Sequence, residues 1–350
     1  MTLTDSLQNL GWRPFFAAQL DEDTANALRP ARVLAVHRSR LELAGDDVPT
    51  HVKLTSKTVE LGITVGDWVL VDNASLQVVS VLERFGVFKR RSAGTASTTQ
   101  MIAANVDILF IVTSANRDFN VARLERYLAL AHDAGTYPII VITKADMVGC
   151  VDEYIAAALK LSPGLVVEAL DARNPDAVEV LRPWCGPGKT VALLGSSGVG
   201  KSTLINSLAN TRQQTRQVRD DDQRGRHTTT GRSMHPLPAG GWLIDTPGMR
   251  ELQLVDVGGA LDDVFAEVTG FAADCRFADC SHETEPGCAV LAAIDANVLD
   301  ADRLMRYRKL LSEDRRNTES IAERRSRDKY FGKLYKSVQS EMRNRKADKQ

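Results

Sequence analysis

Gly195-Ser196-Ser197-Gly198-Val199-Gly200-Lys201-Ser202 decides the fold of this 350-residue chain. It fits G-x-x-x-x-G-K-[ST] at every fixed position, after an apolar strand-like run (Val191 to Leu194) and at the head of a helix-like run (Ser202 to Leu208). The glycines let the backbone curl so that its N–H groups point inward at phosphate oxygens. Lys201 is placed to reach the β- and γ-phosphates and the Ser202 hydroxyl to ligate Mg²⁺. The helix N-terminus adds roughly half a positive charge, and Thr203 belongs to the same turn. The implied ligand is a nucleoside triphosphate with Mg²⁺.

The base is read from a second stretch. Asp245-Thr246-Pro247-Gly248 follows an apolar strand, where the Asp can hold the Mg²⁺ water shell and the Gly248 amide can sense the γ-phosphate. Thr143-Lys144-Ala145-Asp146 ends another apolar strand and resembles the Asn-Lys-x-Asp element of GTPases. Asp146 can accept from guanine N1–H and the exocyclic amine, donors that adenine does not present, while Lys144 packs its stem along the base. Thr143 stands where Asn is usual, which weakens the expected tether to the phosphate loop. Glu168-Ala169-Leu170 is the candidate Ser-Ala-type element whose backbone supports guanine, with Glu168 in the place of Ser. Read alone, Asp245–Gly248 is a weak signal and Thr143–Asp146 a common surface turn; together with the phosphate loop they point to GTP.

The order of these elements is unusual. In ordinary GTPases the base-reading element follows the phosphate loop, whereas here it precedes it by some 50 residues. This is a circularly permuted G domain, and permutation is compatible with one core because domain termini often lie close together. The segment after Gly248 then leads directly into the C-terminal part. Gln213 to Arg232 is long, polar and charged, and its place in the order makes it the first switch. One threonine of Thr228 to Thr230, with Thr229 favoured, is expected to complete the Mg²⁺ shell beside Ser202 and Asp245. Met249 occupies the place of the usual water-positioning Gln and cannot serve. His227 is the candidate substitute, since an imidazole can orient water near neutral pH.

Outward from this centre, the pattern Val106–Val112, Val121–Ala134, Pro138–Thr143, Val151–Leu161, Leu165–Ala169 and Pro175–Leu181 alternates apolar strands with helices. That is the signature of a parallel sheet with crossover helices. Upstream, Arg32–His37, Leu41–Leu43, His51–Leu54, Trp68–Val71 and Leu76–Val79 read as about five short strands, suited to a small OB-like β-barrel. Arg84 to Thr98 reads as a linker. Downstream, Cys275-x₄-Cys280-x-His282-x₅-Cys288 supplies three thiolates and one imidazole. Such a set suits one tetrahedral, structural zinc and leaves no open position for chemistry. Phe331, Leu334, Tyr335, Val338 and Met342 then form one helical stripe among basic residues.

The organisation expected is therefore multidomain: residues 1–95 with the barrel, 96–255 as the central α/β P-loop GTPase domain, and 256–350 as a zinc-binding helical domain. Composition agrees, with 43% apolar and 25% charged residues, an ordinary globular mix. No apolar run nears the ~18 residues of a membrane helix, and the first residues lack the basic-then-apolar pattern of an export signal. A cytoplasmic, monomeric protein with no membrane partner is expected. The net charge of −1 hides an asymmetry: Asp302 to Gln350 holds 16 Lys and Arg against 8 Asp and Glu, leaving −9 on the remainder. A basic tail on an acidic body points to a polyanion such as RNA, with a solvated helical face as the plainer alternative.

The combination is specific where its members are not. The permuted order, the barrel, Asp118-Phe119-Asn120 with Arg123-Leu124-Glu125-Arg126-Tyr127, Gly225-Arg226-His227-Thr228-Thr229-Thr230 and the Cys-Cys-His-Cys knuckle resemble the small ribosomal subunit biogenesis GTPase (RsgA) family, from about Ala31 to the C-terminus. The resemblance implies GTP hydrolysis to GDP and phosphate, stimulated by the small ribosomal subunit late in its maturation, with release on hydrolysis. It implies a barrel that contacts ribosomal RNA and a zinc domain that docks on the subunit. A P-loop ATPase or nucleotide kinase leaves Thr143–Asp146 and the motif order unexplained. A non-catalytic RNA-binding zinc protein predicts no turnover. The first ~30 residues match nothing in this reading.

Overall fold

The computed structural model describes residues 3–91, 99–209, 232–245, 252 and 254–318. The chain opens with three short helices, α1 (Leu3–Asn9), α2 (Pro14–Ala17) and α3 (Glu22–Ala27). They are not an inert leader. Leu10 and Phe16 are buried with Trp68, Leu70 and Leu82 in a core of their own, and the Trp242 indole donates to Asn9 O at 2.9 Å.

Five strands follow: β1 (Leu28–Val36), β2 (Arg40–Ala44), β3 (His51–Lys53), β4 (Trp68–Asp72) and β5 (Val78–Val81), with helix α4 (Ser56–Glu60) between the third and fourth. They pair antiparallel in the order β3-β2-β1-β4-β5. Val52 of β3 and Val78 of β5, at opposite ends of that ribbon, share one core with Val33, Leu43 and Val69, so the ribbon curls on itself as the alternating pattern predicts. Thr55 and Thr58 cap α4 reciprocally, which stops β3 and starts the helix. Leu76 lies before β5 rather than in it, with φ +55° in a turn closed on Asp72. The expected linker is partly a hairpin instead: β6 (Val87–Arg91) pairs with β7 (Thr99–Ala104). Its polar text hides the hairpin, of which Phe88, Ile102 and Ala103 join the central core.

The central sheet runs β10 (Val166–Ala169), β9 (Tyr137–Thr143), β8 (Ile108–Ser114), β11 (Thr190–Leu194), β13 (Trp242–Asp245), β12 (Arg232–Pro236), then continues through β1 into the barrel. The pairs β10–β9, β9–β8, β8–β11 and β11–β13 are parallel; β12 is antiparallel to β13 and to β1. Leu109, Ile111, Ile140, Ile142, Ala192 and Leu194 face one core, and Phe110, Val112, Ile139, Val141, Val191 and Leu193 the other. Both faces are thus covered, as uninterrupted apolar strands require. Helix α5 (Val121–Asp133) covers the first face; α6 (Asp152–Leu159) follows β9, and α7 (Pro175–Val178) follows β10. The helix expected over Pro175–Leu181 ends at Val178 and continues as a 3₁₀ turn to Cys185, where Pro183 cannot support α-helical bonding. After β11 comes α8 (Lys201–Ala209).

The C-terminal part contributes α9 (Gly258–Val264), α10 (Ala266–Ala272), α11 (Ala289–Asp295) and α12 (Ala301–Thr318). Leu254, Leu261, Phe265, Leu304 and Tyr307 join the same apolar core as α5, so these helices are packed on the central domain. Among the described residues no helix is long and apolar enough to cross a membrane. The stripe Phe331–Met342 lies outside them.

Candidate functional site: a nucleotide crevice and a metal knuckle

The chain proceeds from β8 outward to β9 and β10, then returns to the other side of β8 for β11. Strand order reverses there, and the crevice beyond the carboxyl ends of such strands is where open α/β sheets bind ligands. Gly195–Ser202 leaves β11 at that point. Gly195 has φ +157°, and a Cβ on it would lie 2.2 Å from Val112 O, so no side chain fits between the loop and β8. Lys201 is buried, and its ammonium donates to Gly195 O at 2.7 Å and to Ser196 O, which holds the cation over the loop's concave side.

Thr143 ends β9 on the neighbouring side. Its hydroxyl is wholly buried, 2.5 Å from Val199 O in the phosphate loop and 3.0 Å from Thr113 O. A hydroxyl carries one proton, and the shorter contact is to the loop. The tether that a Thr in place of Asn is expected to weaken is therefore made, through a single donor. Gly200 matches it: a Cβ there would come within 3.3 Å of Thr143 Oγ1. Lys144 adopts the left-handed conformation at φ +58°, and Ala145–Met147 forms a 3₁₀ turn that carries Asp146 past the carboxyl end of β9. Ala145 N–H donates to Leu170 O at 3.4 Å, and Ala169 lies beside Ile142 in register, so the two segments expected to read the base are joined. Asp245 ends β13, one residue past the Ala192–Ile244 pair, at the phosphate-loop end of the sheet.

Two arginines enter this crevice unannounced by any motif role. Arg123, from the first turn of α5, donates to Ser196 Oγ at 2.5 Å. Arg173 donates to Asp146 Oδ2 at 2.6 Å. Both contacts span long sequence separations: Arg123 lies in a stretch that carries the family resemblance but points to no partner there, and Arg173 lies in none of the motifs. Thr228–Thr230, Gly248 and His227 lie outside the described residues.

The knuckle gathers its four candidate ligands as spaced. The Cys275, Cys280 and Cys288 sulfurs and a His282 ring nitrogen lie within 4.8 Å of one another. Cys275 Sγ is 3.8 Å from Cys288 Sγ, and His282 Nδ1 is 3.6 and 3.4 Å from those two sulfurs. Tetrahedral zinc, with bonds of about 2.3 Å to sulfur and 2.05 Å to nitrogen, spaces ligands roughly 3.8 Å (S to S) and 3.5 Å (S to N) apart. The cluster fits that ion. Cys288 also caps α11, its sulfur accepting from Leu291 N–H at 3.4 Å, which fixes the ligand's direction.

A P-loop crevice with its base-reading turn upstream defines the class, a circularly permuted GTPase. The fold matches YjeQ from Thermotoga maritima (TM-score 0.60, 23% identity, 82% of this chain and 98% of that one). It also matches YloQ, described as a circularly permuted GTPase (TM-score 0.57, 22% identity, 84% and 97%). The sequence profile described as RsgA GTPase covers residues 81–255. The Mesorhizobium japonicum protein named small ribosomal subunit biogenesis GTPase RsgA is 51% identical over 89% of this chain and 91% of its own length. Its Vibrio parahaemolyticus relative, RsgA 2, is 47% identical over 99% and 96%. The chain belongs to the RsgA GTPase family.

Proposed function

We propose that this GTP hydrolase acts on the small ribosomal subunit late in its maturation, in the cytoplasm, binding in the GTP state and leaving after hydrolysis to GDP and phosphate. The observation that carries the guanine reading is the Thr143–Val199 bond, which ties the base-reading turn to the phosphate loop within one crevice. Lys201 and the loop amides hold the β- and γ-phosphates, Asp146 accepts from the base, and Ala169 and Leu170 support it by backbone. Ser202 and Asp245, with Thr229, are the hard oxygen donors for Mg²⁺, which when bound neutralises charge between the β- and γ-phosphates. His227 orients the attacking water.

The partner assignment follows the names of the relatives, small ribosomal subunit biogenesis GTPases. A feature of the barrel supports RNA contact there: Arg40 and Lys53 are exposed and directly opposite on β2 and β3, with exposed Arg38 and Lys57 nearby. Like charges facing across strands are unfavourable by themselves, and a phosphate backbone relieves them. The zinc knuckle and α12 form the second docking element.

Phosphate release from GTP and from ATP, each with and without small subunits, tests this reading. Slow GTP turnover that rises strongly with subunits is expected, with ATP ignored. Preference for ATP would remove Asp146 from base recognition, and GTP turnover indifferent to subunits would remove the ribosomal partner. His227→Ala turning over normally on subunits would exclude that side chain.

A further inference from the structure

At the base-reading end of the crevice stands a cation that belongs to neither recognition motif. Arg173, on the turn after β10, donates from Nη2 to Asp146 Oδ2 at 2.6 Å. It also grips Asp171, through Nε at 2.9 Å and Nη2 at 3.1 Å. One guanidinium is thus shared between two carboxylates, and its planar fork fixes the direction of both. The turn that carries it is itself anchored. Asp171 Oδ1 accepts the Arg173 N–H at 2.9 Å, and Ser207 of α8 donates its hydroxyl to Ala172 O at 2.7 Å. Since α8 starts at Lys201, the helix that opens from the phosphate loop also holds the turn behind the base site.

We infer that Arg173 is a specificity-determining positioning residue, which orients the Asp146 carboxylate toward the N1–H and 2-amine of guanine. The inference rests on the reading of Asp146 as the base acceptor. A carboxylate that must meet two parallel donors needs a defined plane, and the Asp146 carboxylate, on a short 3₁₀ turn, accepts from the Arg173 guanidinium. An ionised carboxylate has about four acceptor sites, so an oxygen bonded to Arg173 still accepts from the base. The guanidinium contributes direction without exhausting the acceptor. Its other carboxylate partner, Asp171, keeps it from swinging into solvent; the Asp171 carboxyl is in turn held below its ordinary range, first by the side-chain hydrogen bond from Arg173. The opposite role is physically distinct: an arginine that competes with guanine for Asp146 would weaken binding, and its removal would strengthen it.

Equilibrium titration of the full chain with fluorescent GDP, IDP and XDP separates these cases. Hypoxanthine keeps N1–H but lacks the 2-amine, so the GDP:IDP affinity ratio reads the bond that orientation secures. Arg173→Ala is expected to weaken GDP roughly three- to fivefold and IDP by less than about twofold, the range for an exposed charge pair. Arg173→Lys, a cation without the fork, should recover part of the ratio. Tighter GDP binding by Arg173→Ala, or equal loss for GDP and IDP, would overturn the assignment. Asp146→Asn tests the underlying reading separately: it should shift preference from GDP toward XDP, whose C2 carbonyl accepts from an amide. No shift there would sink both readings. A shift with an unchanged GDP:IDP ratio in Arg173→Ala would sink the arginine alone.

Discussion

Thr143 shows how one atom joins two parts of the site. Its hydroxyl proton is the link between the end of β9 and Val199 of the phosphate loop, in a position with no solvent access. Thr143→Val keeps the shape and removes the donor, leaving a buried carbonyl unpaired at a cost of about 1–3 kcal/mol. Part of that loss should appear as weaker nucleotide binding, by roughly five- to thirtyfold, since the loop loses its lateral support. Titration with GDP beside a thermal melt checks it; an unchanged affinity with a lower Tm would confine Thr143 to stability. The phosphate loop itself was legible residue by residue, because close backbone approach, as at Gly195 against Val112 O, permits few alternatives. Arg123 and Arg173 were not legible in the same way. Their partners Ser196 and Asp146 lie 73 and 27 positions away, and an exposed arginine in text carries no mark of what it will meet.

Helix α5 carries polar side chains that reach the phosphate loop on one side and α12 on the other. Arg123 meets the phosphate loop; Arg126 donates to Leu252 O and to Glu313 of α12. Between them Glu125, with no solvent exposure, accepts from Arg303 at 2.6 Å and from Arg306 at 2.9 Å. Arg303 further donates to Leu161 O and Val264 O and pairs with Glu267. The helical period of α5 is plain from Leu124, Leu128 and Ala131, but periodicity cannot show that a glutamate among them is buried when its partner lies 178 residues on. Glu125→Ala leaves two guanidiniums without their shared anion, one of them buried, and should cost about 3–5 kcal/mol in denaturant unfolding. A loss below about 1 kcal/mol would mean that Glu267 and the carbonyls suffice. The knuckle offers a cleaner separation, because Cys288 is a candidate zinc ligand as well as the cap of α11. Cys288→Ser retains a capping oxygen for α11 but removes a thiolate, so bound zinc measured by atomic absorption should fall well below one per chain. The packing of α12 on α5 should persist, since Glu125 and Arg303 lie outside the ligand set. Collapse of the whole C-terminal part in that variant would instead make the metal its main support.

Strand β1 is the piece that makes one molecule of the parts. Arg32 pairs with Trp68 of the barrel, and three residues later Ala35 pairs with Ser233 of β12, so the barrel and the central domain share a ladder. The N-terminal helices are unreadable as text because they are short and their apolar residues aperiodic; Leu10, Trp12 and Phe16 pack under this junction on Trp68. Arg32 itself is almost wholly buried there, donating to Leu10 O, Asn105 O and Thr190 Oγ1, one acceptor from each of three regions. Burial pulls its pKa down to about 10, against the influence of Asp107 and Asp67, which still leaves the side chain charged at neutral pH. Two effects oppose each other when it is replaced by Leu. The desolvation cost of the guanidinium disappears, a gain that often makes apolar replacement of buried charge neutral or better. Three acceptors lose their donor at the same time, at about 1–3 kcal/mol for each one left dry. Because those acceptors belong to the N-terminal segment, the β7–β8 connection and β11, no single relaxation can satisfy them all, and the losses should win by about 2–4 kcal/mol. The form of the transition is the sharper readout. With Arg32 gone, the barrel and N-terminal helices should unfold ahead of the nucleotide domain, turning one denaturation step into two, with GDP raising only the second. A single, fully GDP-sensitive transition in Arg32→Leu would show that the β1–β12 ladder alone couples the domains.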